Sequence, residues 1–179
     1  MRRPVTTAKL QVFMERLGLS AKSPGVVYLT GGATALLLGV RDQTIDIDIK
    51  LDPEPEGAFE AIAELKNSLE VNVELASPDD FLPPLPGWKD RSPLIATFGK
   101  VEFRHFDFYS QALSKIERGH DKDLSDVQSL ITKRLVDPNE LERLAFSVVN
   151  DLFRYPAVDA DEYLRKLKVF LDKHAGGQV

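Results

Sequence analysis

The sequence predicts an α/β (α+β) protein: a mixed sheet of four or five strands flanked by helices, followed by a helical C-terminal part. Three observations predict it. Short apolar or alternating runs, such as 25–30 and 44–50, interleave with stretches of helical periodicity up to about residue 109. Glycine and proline pairs punctuate these runs, at Gly31-Gly32, Pro53/Pro55 and Pro83-Pro84. Beyond Tyr109 the spacing of apolar residues is helical to the end. The expected organisation is a core over 1–110 and a helical part over 111–179 packed on it.

The elements follow in order. Val5, Leu10, Phe13, Met14 and Leu17 stand at helical spacing and predict a helix over 5–17, with Gly18 as its stop. Gly25 to Thr30 reads as a short apolar strand. The glycine pair breaks it, and Ala33 to Leu38 reads as a buried helix. In 44–50, Ile45, Ile47 and Ile49 alternate with Thr44, Asp46, Asp48 and Lys50. A period of two predicts a strand with one buried face and one face bearing two carboxylates. Residues 57–69 form the next expected helix, with Phe59, Ile62, Ala63 and Leu65 inward. Val71, Val73 and Leu75 alternate as a strand, and Pro78 to Pro86 reads as a loop. Strands are expected at 93–97 and 100–109, joined at Gly99. Helices follow at about 110–118, 122–134, 138–153 and 159–174. Asp137-Pro138-Asn139-Glu140 and Asp159 with Glu162 carry helix-start chemistry, and Gly176-Gly177 releases the last helix.

Composition narrows the function. The chain has 179 residues, of which 43% are hydrophobic, enough for an ordinary core. No cysteine is present, which excludes disulfides, thiolate zinc sites and thiol nucleophiles and fits a reducing cytoplasm. No apolar run reaches the ~20 residues of a membrane span, and no apolar signal core follows Arg2 and Arg3, so no membrane association is expected. A net charge of −5 disfavours broad, non-specific nucleic-acid binding.

Thirteen residues, 33–45, separate the glycine pair from Asp46 and Asp48. Glycines where a strand meets a helix let backbone amides approach an anion, such as a nucleotide phosphate. Two carboxylates side by side repel, and a hard cation between them relieves the repulsion, so oxygen-only ligands point to Mg²⁺, or Mn²⁺ in its place. The bland alternatives are a tight turn and a solvated strand face balanced by Lys50 and Arg41. Neither a G-x-G-x-x-G fingerprint nor a G-x-x-x-x-G-K-[ST] loop occurs. Downstream, Lys115, Arg118 and Lys122 are interleaved with Glu117, Asp121 and Asp123, which alone would read as a salt-bridged surface. Arg91 reads as a surface residue. His105, His120 and His174 share no metal spacing.

The order strand, glycine pair, helix, Asp-x-Asp strand resembles the DNA polymerase beta-type nucleotidyltransferase superfamily. Arg41, Thr44, Asp46 and Asp48 look like the Arg-x-x-Thr-x-Asp-x-Asp run of its toxin-like bacterial branch, the AbiEii and MenT-like proteins and their relatives. The run from Ser114 to Val127 is similar to a lysine, arginine and Asp-x-x-Asp segment of the same relatives, and the resemblance spans about residues 25–130. It implies a magnesium-dependent enzyme that moves a nucleoside monophosphate from a nucleoside triphosphate onto an acceptor such as tRNA or protein, in the manner of a toxin with an antitoxin partner. Carried over, Gly31, Gly32, Arg41 and Thr44 would bind the nucleotide, and Asp46 and Asp48 the metal. Lys115 and Arg118 would contact the triphosphate, with Asp123 and Asp126 orienting Lys115 or lining the acceptor side. Many members use a third carboxylate as base. Asp107, between apolar neighbours as an inward acid on a half-buried strand would be, is preferred here to Glu102; strand parity means the two cannot both face the metal. The alternative is a catalytically degenerate relative that binds a nucleotide or a protein partner.

Overall fold

The structure is a computed structural model and describes residues 3–175, so Arg2 and the Gly176-Gly177 release signal lie outside the described residues. The chain divides into two compact units: residues up to 77 with 92–106, and 78–91 with the residues from 107 on.

The first unit holds a five-stranded mixed sheet. Its strands are β1 (Gly25–Thr30), β2 (Asp46–Leu51), β3 (Asn72–Leu75), β4 (Leu94–Phe98) and β5 (Val101–His105), in the order β3-β2-β1-β5-β4. The central β1 runs antiparallel to β2 and parallel to β5. On the flanks, β3 lies parallel to β2, and β4 antiparallel to β5. Three helices accompany the sheet: α1 (Thr7–Ser20), α2 (Gly31–Leu37) and α3 (Ala58–Ser68). The core forms where Val27 and Leu29, Ile47 and Ile49, and Val101 and Phe103 meet Leu10, Phe13 and Leu17 of α1 and Ala61, Ile62 and Leu65 of α3. Each such large side chain contributes about 1.5–3 kcal/mol of transfer free energy. Core side chains therefore take alternate positions of β1, β2 and β5; the other face carries Asp46, Asp48 and Lys50 on β2 and Glu102 and Arg104 on β5, with Tyr28 of β1 buried.

Several expectations are corrected here. The first helix starts at Thr7, capped by Thr6, whose hydroxyl accepts from the Lys9 amide at 3.3 Å. Val5 instead pairs with Thr44 through two backbone hydrogen bonds, of 2.7 and 3.0 Å. Gly18 does not stop α1, which continues to Ser20. A Cβ there would lie 2.5 Å from both Cβ and the carbonyl oxygen of Phe98, so glycine permits close packing of β4. Ile45 precedes β2 and is 72% exposed rather than inward. On α3, Phe59 and Ala63 face outward, because the helix starts at Ala58 and presents Ala58, Ala61, Ile62 and Leu65 instead. Leu75 is exposed as well. The strand expected to reach Tyr109 ends at His105, because Asp107 caps a helix that starts at Phe108.

The second unit is helical: α4 (Phe108–Arg118), α5 (Asp121–Thr132), α6 (Pro138–Ser147) and α7 (Ala160–Ala175). The proline-rich segment is less irregular than expected, with a short 3-10 turn at Pro78–Asp80 and buried Leu82 and Leu85. The helix expected over 138–153 ends at Ser147 and passes into a 3-10 segment, Val149–Arg154. Both helix-start signatures form: Asp137 accepts from the Glu140 amide at 2.9 Å and Asp159 from the Glu162 amide at 2.8 Å. Gly119, at φ 72°, closes α4 by donating to the Lys115 carbonyl and lets the chain turn into α5.

Candidate functional site

In the first unit the sheet register brings the glycine bend to the acidic strand. Thr30, the last residue of β1, pairs with Asp48, and Gly31 follows at φ 59°. This left-handed conformation suits glycine. A Cβ on Gly31 would come within 2.8 Å of Asp48 Oδ2, so the bend and the carboxylate are in direct apposition. Asp46 lies two residues away on the same face of β2, opposite Ile47 and Ile49 of the core. Both aspartates are half-buried. Asn72 Nδ2 donates to Asp46 Oδ1 at 2.7 Å, which fixes that side chain from the neighbouring strand.

Among the described residues, no group of three or more His, Cys, Asp or Glu side chains is arranged to hold a metal. Two carboxylates on one face still match a Mg²⁺ ion that takes its remaining oxygens from water and substrate phosphates. The donor set fits that ion and does not form a closed all-protein cage.

Thr44 and Gly32 form a tight contact. A Cβ built on Gly32 would lie 2.0 Å from Thr44 Oγ1, so the threonine hydroxyl stands where that side chain would begin. Thr44 Oγ1 donates to the Asp46 carbonyl at 3.3 Å. Arg41 lies in the turn between α2 and β2, where its backbone amide donates to the Ala35 carbonyl. Behind the bend, Thr34 of α2 donates to the Leu29 carbonyl at 3.2 Å and lies 3.1 Å from His105 Nδ1 of β5. Burial pushes the His105 imidazole down to about 4. No local pattern singles out His105, since only the sheet order brings it to α2.

The third-carboxylate expectation meets a different geometry. Asp107 is not on a strand. It is fully buried at the start of α4, where its carboxylate accepts from the Tyr109 and Ser110 amides and the Ser110 hydroxyl. Arg91 binds the same carboxylate with two nitrogens, at 2.9 and 3.1 Å, so Arg91 is an anchor of the second unit rather than a surface residue. Glu102 pairs with Val26, which places it on the Asp48 face but four residues from the Thr30–Asp48 level, or about 13 Å along the strand. It also forms an ion pair with Arg104 at 2.8 Å. The residue that follows β5 to the Thr30 level is Phe106, whose amide donates to the Leu29 carbonyl at 2.8 Å.

In the second unit, Lys115, Arg118, Asp123 and Asp126 come together. Lys115 Nζ lies 2.7 Å from Asp126 Oδ2 and 3.2 Å from Asp123 Oδ1, and Arg118 Nη2 lies 2.7 Å from Asp123 Oδ1. Lys115, Asp123 and Asp126 are buried, so the solvated-surface reading of this segment does not hold. Burial alone would raise the Asp123 carboxyl. Lys115, and then Arg118, outweigh burial and hold it below the usual carboxylate range. Two α4 residues and two α5 residues meet because Gly119 reverses the chain between the helices.

Sequence reasoning also missed an open cavity of about 450 Å³ in this unit, lined by Phe81, Ser114, Glu117, Arg118, Arg154 and Tyr155. Its walls come from three separated segments, so no local pattern announces it. Among the described residues, Glu117 Oε2 is buried without a hydrogen-bond partner.

A family model described as a nucleotidyltransferase of unknown function (DUF6036) matches residues 8–168, nearly the whole chain. No curated protein and no solved structure matches. Among the described residues, no helix is long and apolar enough to cross a membrane.

Proposed function

This chain belongs to the nucleotidyltransferase family of unknown function DUF6036, and from that premise we propose that it is a metal-dependent enzyme that moves a nucleoside monophosphate from a nucleoside triphosphate onto an acceptor. The observation that carries the reading is the apposition of Gly31 to Asp48, with Asp46 beside it on one sheet face. Phosphoryl-type transfer asks the protein mainly to position phosphates and offset their charge. The glycine bend admits phosphate oxygens to backbone amides, and Asp46 and Asp48 would hold the ion. Mg²⁺, when bound, neutralises phosphate charge and aligns the attacking and leaving oxygens. In the transfer, the acceptor oxygen forms a bond to the α-phosphorus, the α–β bridging bond breaks, and pyrophosphate leaves. The triphosphate role of Lys115 comes from the resemblance alone; its ammonium is buried against Asp123 and Asp126.

The acceptor, a tRNA or a protein, is taken from the resemblance. A toxin role would show as growth arrest on expression, relieved by a small protein encoded alongside.

The experiment is calorimetry with ATP, CTP, GTP and UTP, with and without Mg²⁺, followed by incubation with labelled triphosphate and total tRNA. Asp46→Asn combined with Asp48→Asn is expected to abolish transfer and leave the fold intact; transfer by that double variant refutes the reading. One observation favours the non-catalytic alternative. Position 106, level with Asp48 across β1, is phenylalanine, so β5 brings no third carboxylate to that level. Triphosphate binding without product on any acceptor would decide for that alternative.

A further inference from the structure

We propose that His105 is a positioning residue of the transferase site: its ring, in the Nδ1–H tautomer, donates to the Thr34 hydroxyl, Thr34 donates to the Leu29 carbonyl, and these two bonds set the glycine bend against Asp48. The proposal rests on the transferase reading above. His105 ends β5 on the core face and pairs with Leu29 of β1. One residue after Leu29, Thr30 pairs with Asp48, and Gly31 then opens α2 in a left-handed conformation. The Leu29 carbonyl accepts from the Phe106 amide at 2.8 Å and from the Thr34 hydroxyl at 3.2 Å. That one oxygen therefore joins the chain leaving β5, helix α2 and the end of β1.

The proton count fixes the tautomer. Thr34 Oγ1 lies 3.2 Å from the Leu29 oxygen and 3.1 Å from His105 Nδ1. A hydroxyl has one proton to give, and a carbonyl oxygen can only accept. Thr34 therefore gives its proton to Leu29 and accepts another from Nδ1. The ring is neutral at pH 7, so Nε2 carries the lone pair. Thr34 and His105 are 3% and 8% exposed, so a lost bond between them is not replaced by bulk water. His105 lies on the sheet face opposite Asp46 and Asp48, so it acts on them only through the bend. The bend is close enough to transmit a shift: a Cβ on Gly31 would lie 2.8 Å from Asp48 Oδ2.

The test has two arms, both on the full chain. Nitrogen-15 NMR of the imidazole at pH 7 should find the His105 proton on Nδ1 and a bare Nε2; a proton on Nε2 overturns the proposal whatever the activity. The second arm follows transfer against Mg²⁺ concentration, with urea midpoints measured alongside. His105→Leu removes the donor and should raise the Mg²⁺ needed for half-maximal transfer about tenfold, the upper end of one neutral hydrogen bond. His105→Asn carries an amide nitrogen on Cγ, where the imidazole carries Nδ1, and should come within about twofold of the parent. His105→Gln carries its nitrogen one atom further out, where the imidazole carries Nε2, and should behave like His105→Leu. A Mg²⁺ requirement that is the same in the asparagine, glutamine and leucine variants, with only the urea midpoints lowered, overturns the proposal and leaves His105 a packing residue. A parent that transfers nothing fells the transferase reading and the positioning role with it, whereas an active parent with an Nε2–H ring fells the positioning role alone.

Discussion

Replacing Lys115 with methionine tests whether the buried network in the second unit is held together by one ammonium. Methionine keeps a flexible apolar stem and deletes the charge. The Lys115 side chain is only 6% exposed, and the Asp123 and Asp126 side chains are 10% and 8% exposed. Removing one partner of a buried pair costs about 3–5 kcal/mol, because a charge stays buried without compensation. Arg118 still reaches Asp123 at 2.7 Å and is itself 48% exposed, so it relieves part of that cost. The expected loss lies at the lower end, about 3 kcal/mol. With a urea dependence of about 1–3 kcal/mol per molar, the midpoint falls by roughly 1–3 M. Trp88 is the only tryptophan and belongs to the second unit, so its fluorescence follows that unit.

The pH dependence has a definite sign. Asp123 is depressed in the folded protein, so its contribution is full above the ordinary carboxyl value of about 4 and is lost as the pH falls through the folded value. Without Lys115, the buried Asp123 carboxylate protonates more easily. The gap between parent and variant should therefore narrow between pH 7 and pH 4.5. A midpoint change under about 0.3 M at pH 7, or a gap that stays constant with pH, refutes the reasoning.

Two further outcomes follow from single sites. Gly18→Ala should gain up to about 1 kcal/mol from helix propensity alone, but the new methyl meets Phe98 Cβ and O at 2.5 Å, so a net loss of about 1–3 kcal/mol is expected; a raised melting temperature would show that β4 yields. His105 titrates at about 4 rather than 6.5, which at about 1.4 kcal/mol per pH unit corresponds to about 3 kcal/mol. That stability is present above pH 6.5 and fades as the pH falls toward 4, because the unfolded ring takes up its proton first. Imidazole NMR during a pH titration checks it, and a ring that titrates near 6.5 contradicts the burial.

The parts of the fold that could be read from the sequence are those set by local chemistry. β1 has the predicted bounds, 25–30, since six apolar-rich residues run into a glycine pair. Asp137 and Asp159 cap as read, since a cap needs only neighbours three residues away. What escaped depends on distant partners. Gly18 looks like a helix stop until Phe98, eighty residues on, is placed against it. Asp107, between Phe106 and Phe108, mimics strand alternation, yet its side chain serves a helix start and Arg91. In the candidate site, Asp46, Asp48 and the glycine bend lie within one short stretch and were legible together. The burial of Lys115 with Asp123 and Asp126 was not, because a salt-bridged surface and a sealed ionic network share the same spacing. The level of Glu102 relative to Asp48 needed the sheet register, which no single strand encodes.

The backbone bridge between Val5 and Thr44 has a practical consequence for anyone shortening this protein. Val5 is fully buried, ahead of the first helix, and looks expendable by position alone. Trimming the amino end past it would release the approach to the acidic strand and let the threonine drift from the bend. A clone designed to start at residue 7 would then disturb the acidic strand without altering either of its aspartates.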